Sequence, residues 1–305
     1  MNRLLRQETR GLGALLLAAV IWGFAFVAQR EGMRFVGPFT FNAIRFALGS
    51  LALLPWLVAA RPGPAAVRQT SPWRVRWGIA AAGVVLFAAA ALQQIGLVST
   101  TAGKAGFITG LYVVIVPLLS LLWRQRVPKT AWAGCLVAAL GMYFLTVSDR
   151  LSLAVGDAFV LASALGWAIH VHLAGWLVRR VRAVRLAVVQ FAICSGLSLI
   201  VALIQEPLSL PALRQAVWPL AYAGVLSVGL AYTLQLVGQR TVPPPQAGVI
   251  MSLEAVFAVA GGWLLLAETL TPRGLLGCAL MLAGMALAQV RAAATVRSDR
   301  LPPIP

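Results

Sequence analysis

The sequence predicts an all-α integral membrane protein with ten transmembrane helices, arranged as two inverted five-helix repeats. The first observation is composition, since 60% of the 305 residues are hydrophobic and 11% are charged, whereas soluble domains average about 25% charged residues. The second is a series of ten long apolar runs, and the third is a similarity between the two halves of the chain. A water-facing globule cannot cover this much apolar surface, so a soluble enzyme is excluded.

Ten apolar runs follow one another along the chain, each roughly 19–27 residues long. About 20 apolar residues in a helix span the hydrocarbon core, so each run can cross it with some tilt. Strands of membrane barrels are shorter and alternate in polarity, a pattern that these runs lack. The predicted helices cover residues 11–30, 38–60, 76–97, 102–123, 130–148, 156–178, 185–205, 213–239, 244–267 and 272–291.

Three arginines precede the first run, as they would in a signal peptide. The run is longer than the usual apolar core of about 7–15 residues and nine further runs follow, which favours a retained first helix. Within the fourth run, Pro117 removes a backbone donor, so we expect a kink there. Its counterpart in the second half is Val259, which predicts that the kink has no equivalent.

The net charge of +17 has an uneven distribution along the chain. With the N-terminus placed in the cytoplasm, 18 of the 25 Lys and Arg residues fall in inside segments, five in outside loops and two within runs. Cytoplasmic loops of membrane proteins carry such an excess. The pattern therefore predicts that both termini lie in the cytoplasm, and we expect a multi-pass protein of a bacterial-type cytoplasmic (inner) membrane. It also accounts for the basic charge without a nucleic-acid partner.

Shifting the sequence by 142–145 residues superposes its two halves with nearly constant spacing across four helices, which favours duplication. Because each half holds five helices, the second half enters the membrane from the opposite side, and such folds bind substrate near the midplane between the halves. We expect one repeat over 1–150, a second over 151–292 and a cytoplasmic tail over 293–305. The matches include Trp22 with Trp167, Phe46 with Phe191, Ser50 with Ser195, Gln93 with Gln235, and Gly141 with Gly284.

The stretch from Gly248 to Glu268, GVIMSLEAVFAVAGGWLLLAE, is followed by Leu270-Thr-Pro and by GCALMLAG from Gly277. Together they resemble the end of an EamA domain of the drug/metabolite transporter superfamily, and Arg45-Phe46 and residues 101–141 are also similar to its pattern. The resemblance covers nearly the whole chain. It implies a ten-helix transporter of small metabolites, often an exporter, and is strongest to the YddG-type amino-acid exporters. Arg126 replaces the family's usual acidic residue in the first half, so that position has no symmetric role.

Aromatic and amide side chains share helical faces at the predicted membrane depth. Trp22, Phe26 and Gln29 follow i, i+4, i+7 spacing, and Trp167 and His170 share a face of the sixth helix. Aromatic stripes commonly reflect packing, amides can join neighbouring helices, and His170 can be a neutral, hydrogen-bonded side chain. Tryptophans that match between the halves instead favour a substrate cavity between them. Its candidate residues are Trp22, Phe26, Gln93, Tyr112, Trp167, His170, Tyr232, Gln235 and Glu254.

Three ionisable residues lie inside predicted helices. Glu254 is about ten residues into its helix, roughly 15 Å deep, and the repeat places Tyr112 at the equivalent position. This carboxyl group either binds a proton or a substrate ammonium, or is a structural partner of Arg45. The electrostatic candidates are Arg45, as a structural tie or a substrate contact, and Lys104, as an interfacial side chain or a group that attracts carboxylates.

The sequence predicts neither a metal nor a cofactor, because its three cysteines lie singly in apolar runs. It has no phosphate-binding loop, which argues against ATP-driven transport. We expect export of small metabolites by alternating access, with aromatic or neutral amino acids as substrates and nucleosides or drug-like cations as the alternative. A lipid-modifying membrane enzyme is less favoured, because His170, His172 and one deep acid are a thin basis for it. The expected partners are substrate and membrane lipid, and the sequence indicates no oligomeric state.

The predicted topology can be tested by labelling single cysteines introduced at Ser152 and Arg182 after the native cysteines are replaced. We expect a membrane-impermeant thiol reagent to reach position 152 from outside the cell and position 182 from the cytoplasm. Labelling of both positions from the same side would contradict the inverted arrangement.

Overall fold

A computed structural model describes residues 2–59, 72–99, 102–122, 127–146, 155–266 and 271–289. Every regular element in these ranges is a helix, and the described part of each predicted run is largely helical. The elements are α1 (Asn2–Gly32), α2 (Pro38–Ala59), α3 (Pro72–Ser99), α4 (Ala102–Gly110), α5 (Tyr112–Leu122), α6 (Lys129–Thr146), α7 (Val155–Leu177), α8 (Ala183–Gln205), α9 (Leu210–Gln215), α10 (Val217–Ala221), the π-helical segment Tyr222–Ala231, α11 (Tyr232–Gly238), α12 (Pro244–Met251), α13 (Glu254–Leu266) and α14 (Pro272–Gln289).

Seven helical stretches among the described residues are long and apolar enough to cross a membrane, and shorter apolar helices cover Ile108–Leu122 and Pro272–Leu287. Large apolar side chains such as Trp218 and Ile204 are more than half exposed on the outside of the bundle. These features make the chain a multi-pass membrane protein, because lipid is the medium that such a surface requires. The seven spans are Thr9–Gly32, Pro38–Val58, Pro72–Ser99, Val155–Leu177, Ala183–Gln205, Val217–Gly238 and Pro244–Leu265.

Two of the predicted helices are interrupted at equivalent positions of the repeat. One interruption lies at Leu111, whose amide donates to Ile108 O at 3.2 Å. The other lies at Ser252 and Leu253, and the amide of Leu253 donates to Ile250 O at 3.2 Å. Each contact is a tightened i→i−3 turn of the kind that often marks a hinge.

These interruptions correct two expectations from the sequence. α5 continues through Pro117, and the chain breaks six residues earlier instead, at a position with a counterpart in the second half. Glu254 is the first residue of α13 and does not lie in the middle of a continuous helix. The break between α12 and α13 therefore places its side chain at a helix end inside the protein.

The eighth predicted helix contains the π-helical segment Tyr222–Ala231, a wider coil that is frequent at functional sites. Gly224 in this segment lies against α2, where an added Cβ would be 2.6 Å from Leu48 Cβ and 3.2 Å from Arg45 O. Because Gly224 has no side chain, the segment can lie close to the backbone of Arg45.

α2 packs along α8, and both helices contribute to the largest buried apolar cluster. Ser50 Oγ donates to Val188 O at 3.2 Å, and Ser195 Oγ donates to Ala43 O at 2.7 Å. The two bonds join residues that are related by the 145-residue repeat, and their order shows that the helices run antiparallel. At one end, the carboxylate of Glu206 accepts bonds from the first amides of α2, Phe39 N and Thr40 N, at 2.8 and 2.7 Å.

α6 and α14 form a second reciprocal, antiparallel contact through glycine. A Cβ added to Gly141 would lie 2.7 Å from Gly277 O, and one added to Gly284 would lie 2.7 Å from Gly134 O. Small residues let membrane helices approach closely, and this approach supplies their dispersion attraction.

Alanine at Gly141 or Gly284 should therefore push α6 and α14 apart. We expect each substitution to lower the stability of the protein by about 1–3 kcal/mol, the usual cost of overpacking, measured by thermal unfolding in detergent. Gly196 is the matched control, because nothing lies within 4 Å of an added Cβ there. Gly196→Ala should leave the stability equal or higher, and equal behaviour of all three variants would contradict this account of the interface.

Candidate functional site

A cavity lies inside the bundle and is lined by both halves of the chain. Its volume is about 50 Å³. At about 10–15 Å³ per water, that volume holds a few waters. The lining residues are Trp22, Phe26, Gln29, Arg45, Gln93, Thr109, Tyr112, Trp167, His170, Val171, Ser227, Tyr232, Gln235, Met251 and Glu254.

All nine cavity candidates chosen from the sequence line this one space, and Arg45 lines it with them. The side chain of Lys104, and all of Arg126 and Glu268, lie outside the described residues. Four lining residues carried no sequence signal, namely Thr109, Val171, Ser227 and Met251, while Gln29 shares the predicted Trp22 face. Ser227 lies in the π-helical segment, so α-helical spacing could not have selected it.

The aromatic part of the cavity is centred on Tyr232, the first residue after the π-helical segment. The indole Nε1 of Trp22 donates to Ser227 O at 3.1 Å, which fixes this ring against the segment. The rings around Tyr232 form edge-to-face and tilted pairs with it, which are the arrangements that aromatic rings prefer. Ring centroids lie at these distances from that of Tyr232: Trp22 at 4.8 Å, Phe191 at 5.6 Å, Trp167 at 6.1 Å, Phe46 at 6.2 Å and His170 at 6.2 Å.

Arg45 of α2 brings a positive charge to the cavity while its side chain is only 3% exposed. Its Nη1 donates to Gln29 Oε1 at 2.8 Å, and its Cζ lies 4.9 Å from the Phe46 ring centroid and 5.7 Å from that of Phe41. Its Nε has no hydrogen-bond partner, and Arg45 forms no ion pair with any residue in the described ranges. The guanidinium is therefore held in place with donor capacity unused.

Glu254 brings a carboxyl group to the same cavity from the start of α13. The hydroxyl of Tyr112, the first residue of α5, donates a hydrogen bond to it. Both partners follow the interruptions of their helices, so the two breaks meet through this bond. Gly23 lets α1 lie close to the start of α13, because an added Cβ would be 2.7 Å from Glu254 O.

The remaining polar groups of the cavity are amides, hydroxyls and one imidazole. Gln93 Nε2 donates to Thr109 Oγ1 at 3.0 Å, and His170 Nε2 lies 3.0 Å from Oε1 of Gln190, a buried residue of α8. Trp167 Nε1 and Gln235 Oε1 have no partner among the described residues. The cavity can thus offer hydrogen-bond donors and acceptors, one basic and one acidic side chain, and aromatic faces to a small ligand.

Metal chemistry finds no support in the described part of the chain, where no group of three His, Cys, Asp or Glu side chains converges. His170 and Glu254 line the cavity, but His172 instead contacts Val116 O at 2.9 Å.

A polar cavity enclosed by apolar helices from two similar halves is the architecture of a membrane transporter. A model of the EamA-like transporter family matches residues 9–147 and matches again over residues 154–289. The chain therefore belongs to the EamA-like transporter family, and it carries two copies of the family domain.

Curated proteins that are similar to this chain are named as transporters or exporters. An uncharacterized transporter of Archaeoglobus fulgidus is 29% identical over 284 residues, which cover 91% of this chain and 85% of the relative. The threonine/homoserine exporter RhtA of Escherichia coli strain K12 is 28% identical over 305 residues, which cover 93% of this chain and 91% of the exporter. One solved crystal structure matches with a TM-score of 0.75 at 21% identity, covers 93% of this chain and 98% of its own, and supports the fold alone.

Cysteine at Thr109 tests whether the cavity opens to water. In a protein without its native cysteines, Thr109→Cys should react with a small hydrophilic thiol reagent when the cavity opens, because Thr109 lines it. Ser50→Cys is the matched control, since Ser50 is also buried but lies in the α2–α8 contact. Equal reactivity of both positions would contradict the assignment of this cavity as the water-accessible space.

Proposed function

We propose that this family member is a secondary transporter that exports small metabolites by alternating access, with amino acids bearing neutral or aromatic side chains as its substrates. The observation that carries the proposal is the cavity between the two halves, in which the basic Arg45 and the acidic Glu254 lie beside aromatic rings. Ionisable groups at membrane depth are costly and mark substrate or ion pathways.

The proposed architecture has ten membrane helices in two inverted repeats, 1–150 and 151–292, with both termini in the cytoplasm of a bacterial-type cell. Antiparallel reciprocal contacts between α2 and α8, and between α6 and α14, support the inversion. A further reciprocal pair of close contacts joins α3 to α7 and α11 to α1. A Cβ on Gly96 would lie 2.7 Å from Gly156 O, and one on Gly238 would lie 2.8 Å from Gly11 O.

The chemistry of the lining favours amino acids over the other substrate classes. An amino acid carries an ammonium and a carboxylate group, which the acidic Glu254 and the basic Arg45 of the cavity can bind. Nucleosides could stack on Trp22 or Tyr232 but would leave Arg45 without an anionic partner, and drug-like cations would leave it next to a like charge. The relative RhtA is named as a threonine/homoserine exporter, which supports the same class.

We further propose that Glu254 couples export to the proton gradient. Its one hydrogen-bond partner in the described chain is Tyr112, while Arg45 and His170 line the same cavity without bonding to it. A carboxyl group that loses the Tyr112 bond in one access state can bind a proton there and release it in the other state. A carboxyl group that is paired in both states would be structural, and transport would then be uncoupled.

Transport by purified protein in proteoliposomes tests both proposals. The substrate panel contains radiolabelled L-threonine, L-phenylalanine, uridine and the cation tetraphenylphosphonium. We expect the amino acids to accumulate in the vesicles when the proton gradient drives protons in the opposite direction. Glu254→Gln keeps shape and hydrogen bonding, so we expect it to retain substrate binding and lose the pH dependence of accumulation.

Glu31→Gln is the control, because Glu31 pairs with Arg34 at 3.0 Å outside the cavity. It should transport as the unmodified protein does. Unchanged pH dependence in Glu254→Gln would exclude Glu254 as the coupling residue, and loss of folded protein would favour a structural role. Transport of uridine or the cation alone would contradict the proposed substrate class.

A further inference from the structure

We propose that Arg45 is the residue that binds the carboxylate of the substrate, so that the transporter requires an anionic group on one end of its ligand. This inference rests on the proposed function and assigns one contact within the same cavity. It is carried by the position of Arg45, by its unused donors, and by a comparison between the two halves of the chain.

The guanidinium of Arg45 is preorganised for an incoming anion. Gln29 accepts from one terminal nitrogen at 2.8 Å, and two phenyl rings lie against the plane of the group, so its orientation is fixed. Nε has no partner, and no carboxylate of the described chain is paired with Arg45. Arginine presents its donors in a fork that matches a carboxylate, and such charge-assisted pairs are among the strongest hydrogen bonds.

The second half of the chain shows what the same position requires for folding alone. With the 145-residue shift that matches Phe46 to Phe191, Arg45 corresponds to Gln190. Gln190 is fully buried in α8 and bonds to His170 of α7, just as Arg45 bonds to Gln29 of α1. A neutral amide therefore suffices to join the two helices at this place in the repeat, and the positive charge of Arg45 is an addition that the packing does not need.

The charge of Arg45 faces the cavity, where an anionic ligand group would reach it. Among the lining residues of the described chain, the other basic side chain is His170, which is already hydrogen-bonded to Gln190. Glu254 lies elsewhere on the cavity wall, and the hydroxyl of Tyr232 is within electrostatic range of both charges. A carboxylate on Arg45 thus leaves the rest of an amino acid among the aromatic rings.

Binding to the purified full-length protein in detergent tests the inference with matched ligands. One set is L-threonine, L-threoninamide and 3-hydroxybutanoate, and the other is L-phenylalanine, L-phenylalaninamide and 3-phenylpropanoate. Measurements at about pH 6 keep the amino group of each amide protonated. We expect the unmodified protein to bind each amino acid at least about tenfold more tightly than its amide, the range of a charge-assisted hydrogen bond.

The variants then locate that preference. Arg45→Gln should weaken binding of the amino acid by about tenfold or more and leave binding of the amide within about threefold. Arg45→Lys keeps the charge without the fork and should give an intermediate preference. Gln190→Leu is the control at the equivalent position, and it should change the affinity for acid and amide by the same factor.

Each outcome bears on the inference in a defined way. Equal binding of amino acid and amide by the unmodified protein would overturn it while leaving amino-acid transport intact, and this arm needs no variant to fold. A preference that survives in Arg45→Gln would also overturn it. Failure of every amino acid to bind, together with binding of uridine or the organic cation, would overturn both this inference and the proposed function.

Discussion

The hydrogen bonds of Arg45 and Glu254 hold two ionisable side chains inside a bundle that lipid surrounds. Hydrocarbon offers no partner to a polar group, and each unsatisfied one costs several kcal/mol. Gln29 offsets part of this cost for Arg45, and Tyr112 offsets part of it for Glu254. Because each bond joins two separate helices, the polar interior exists only when Gln29 of α1 reaches α2 and Tyr112 of α5 reaches the start of α13. The apolar exterior and the polar cavity therefore depend on the same helix arrangement.

Much of this arrangement can be predicted from the sequence for a physical reason. Apolar runs must match the thickness of the bilayer, so their positions were predictable, and the described part of each predicted run is largely helical. The cavity candidates were also predictable, because polar and aromatic residues at membrane depth are few and helical spacing groups them on faces. Trp22 and Phe26 illustrate this, since their i, i+4 spacing places both at the cavity.

The interruptions of the helices were not predictable from single residues. Proline is the residue that sequence reasoning selects for a break, yet Pro117 lies within α5 and the chain turns at Leu111 instead. Leu253, at the second break, is equally unremarkable as a residue type. Tertiary contacts set these positions, among them the bond between Tyr112 and Glu254 and the close approach of Gly23. The π-helical segment was not predictable either, because its residues also suit an α-helix.

Two differences between the halves lie at the cavity, whereas several contacts farther away are shared. Ser50 and Ser195 make equivalent bonds, as do the paired glycines of α6 and α14. Arg45 and Glu254, in contrast, have the neutral counterparts Gln190 and Tyr112. In the proposed alternating-access cycle, shared packing would give the inward-open and outward-open states similar energies. A ligand shifts such an equilibrium only by binding the two states differently. The charged residues that one half has and the other lacks are therefore the groups through which substrate and proton can favour one direction of opening over the other.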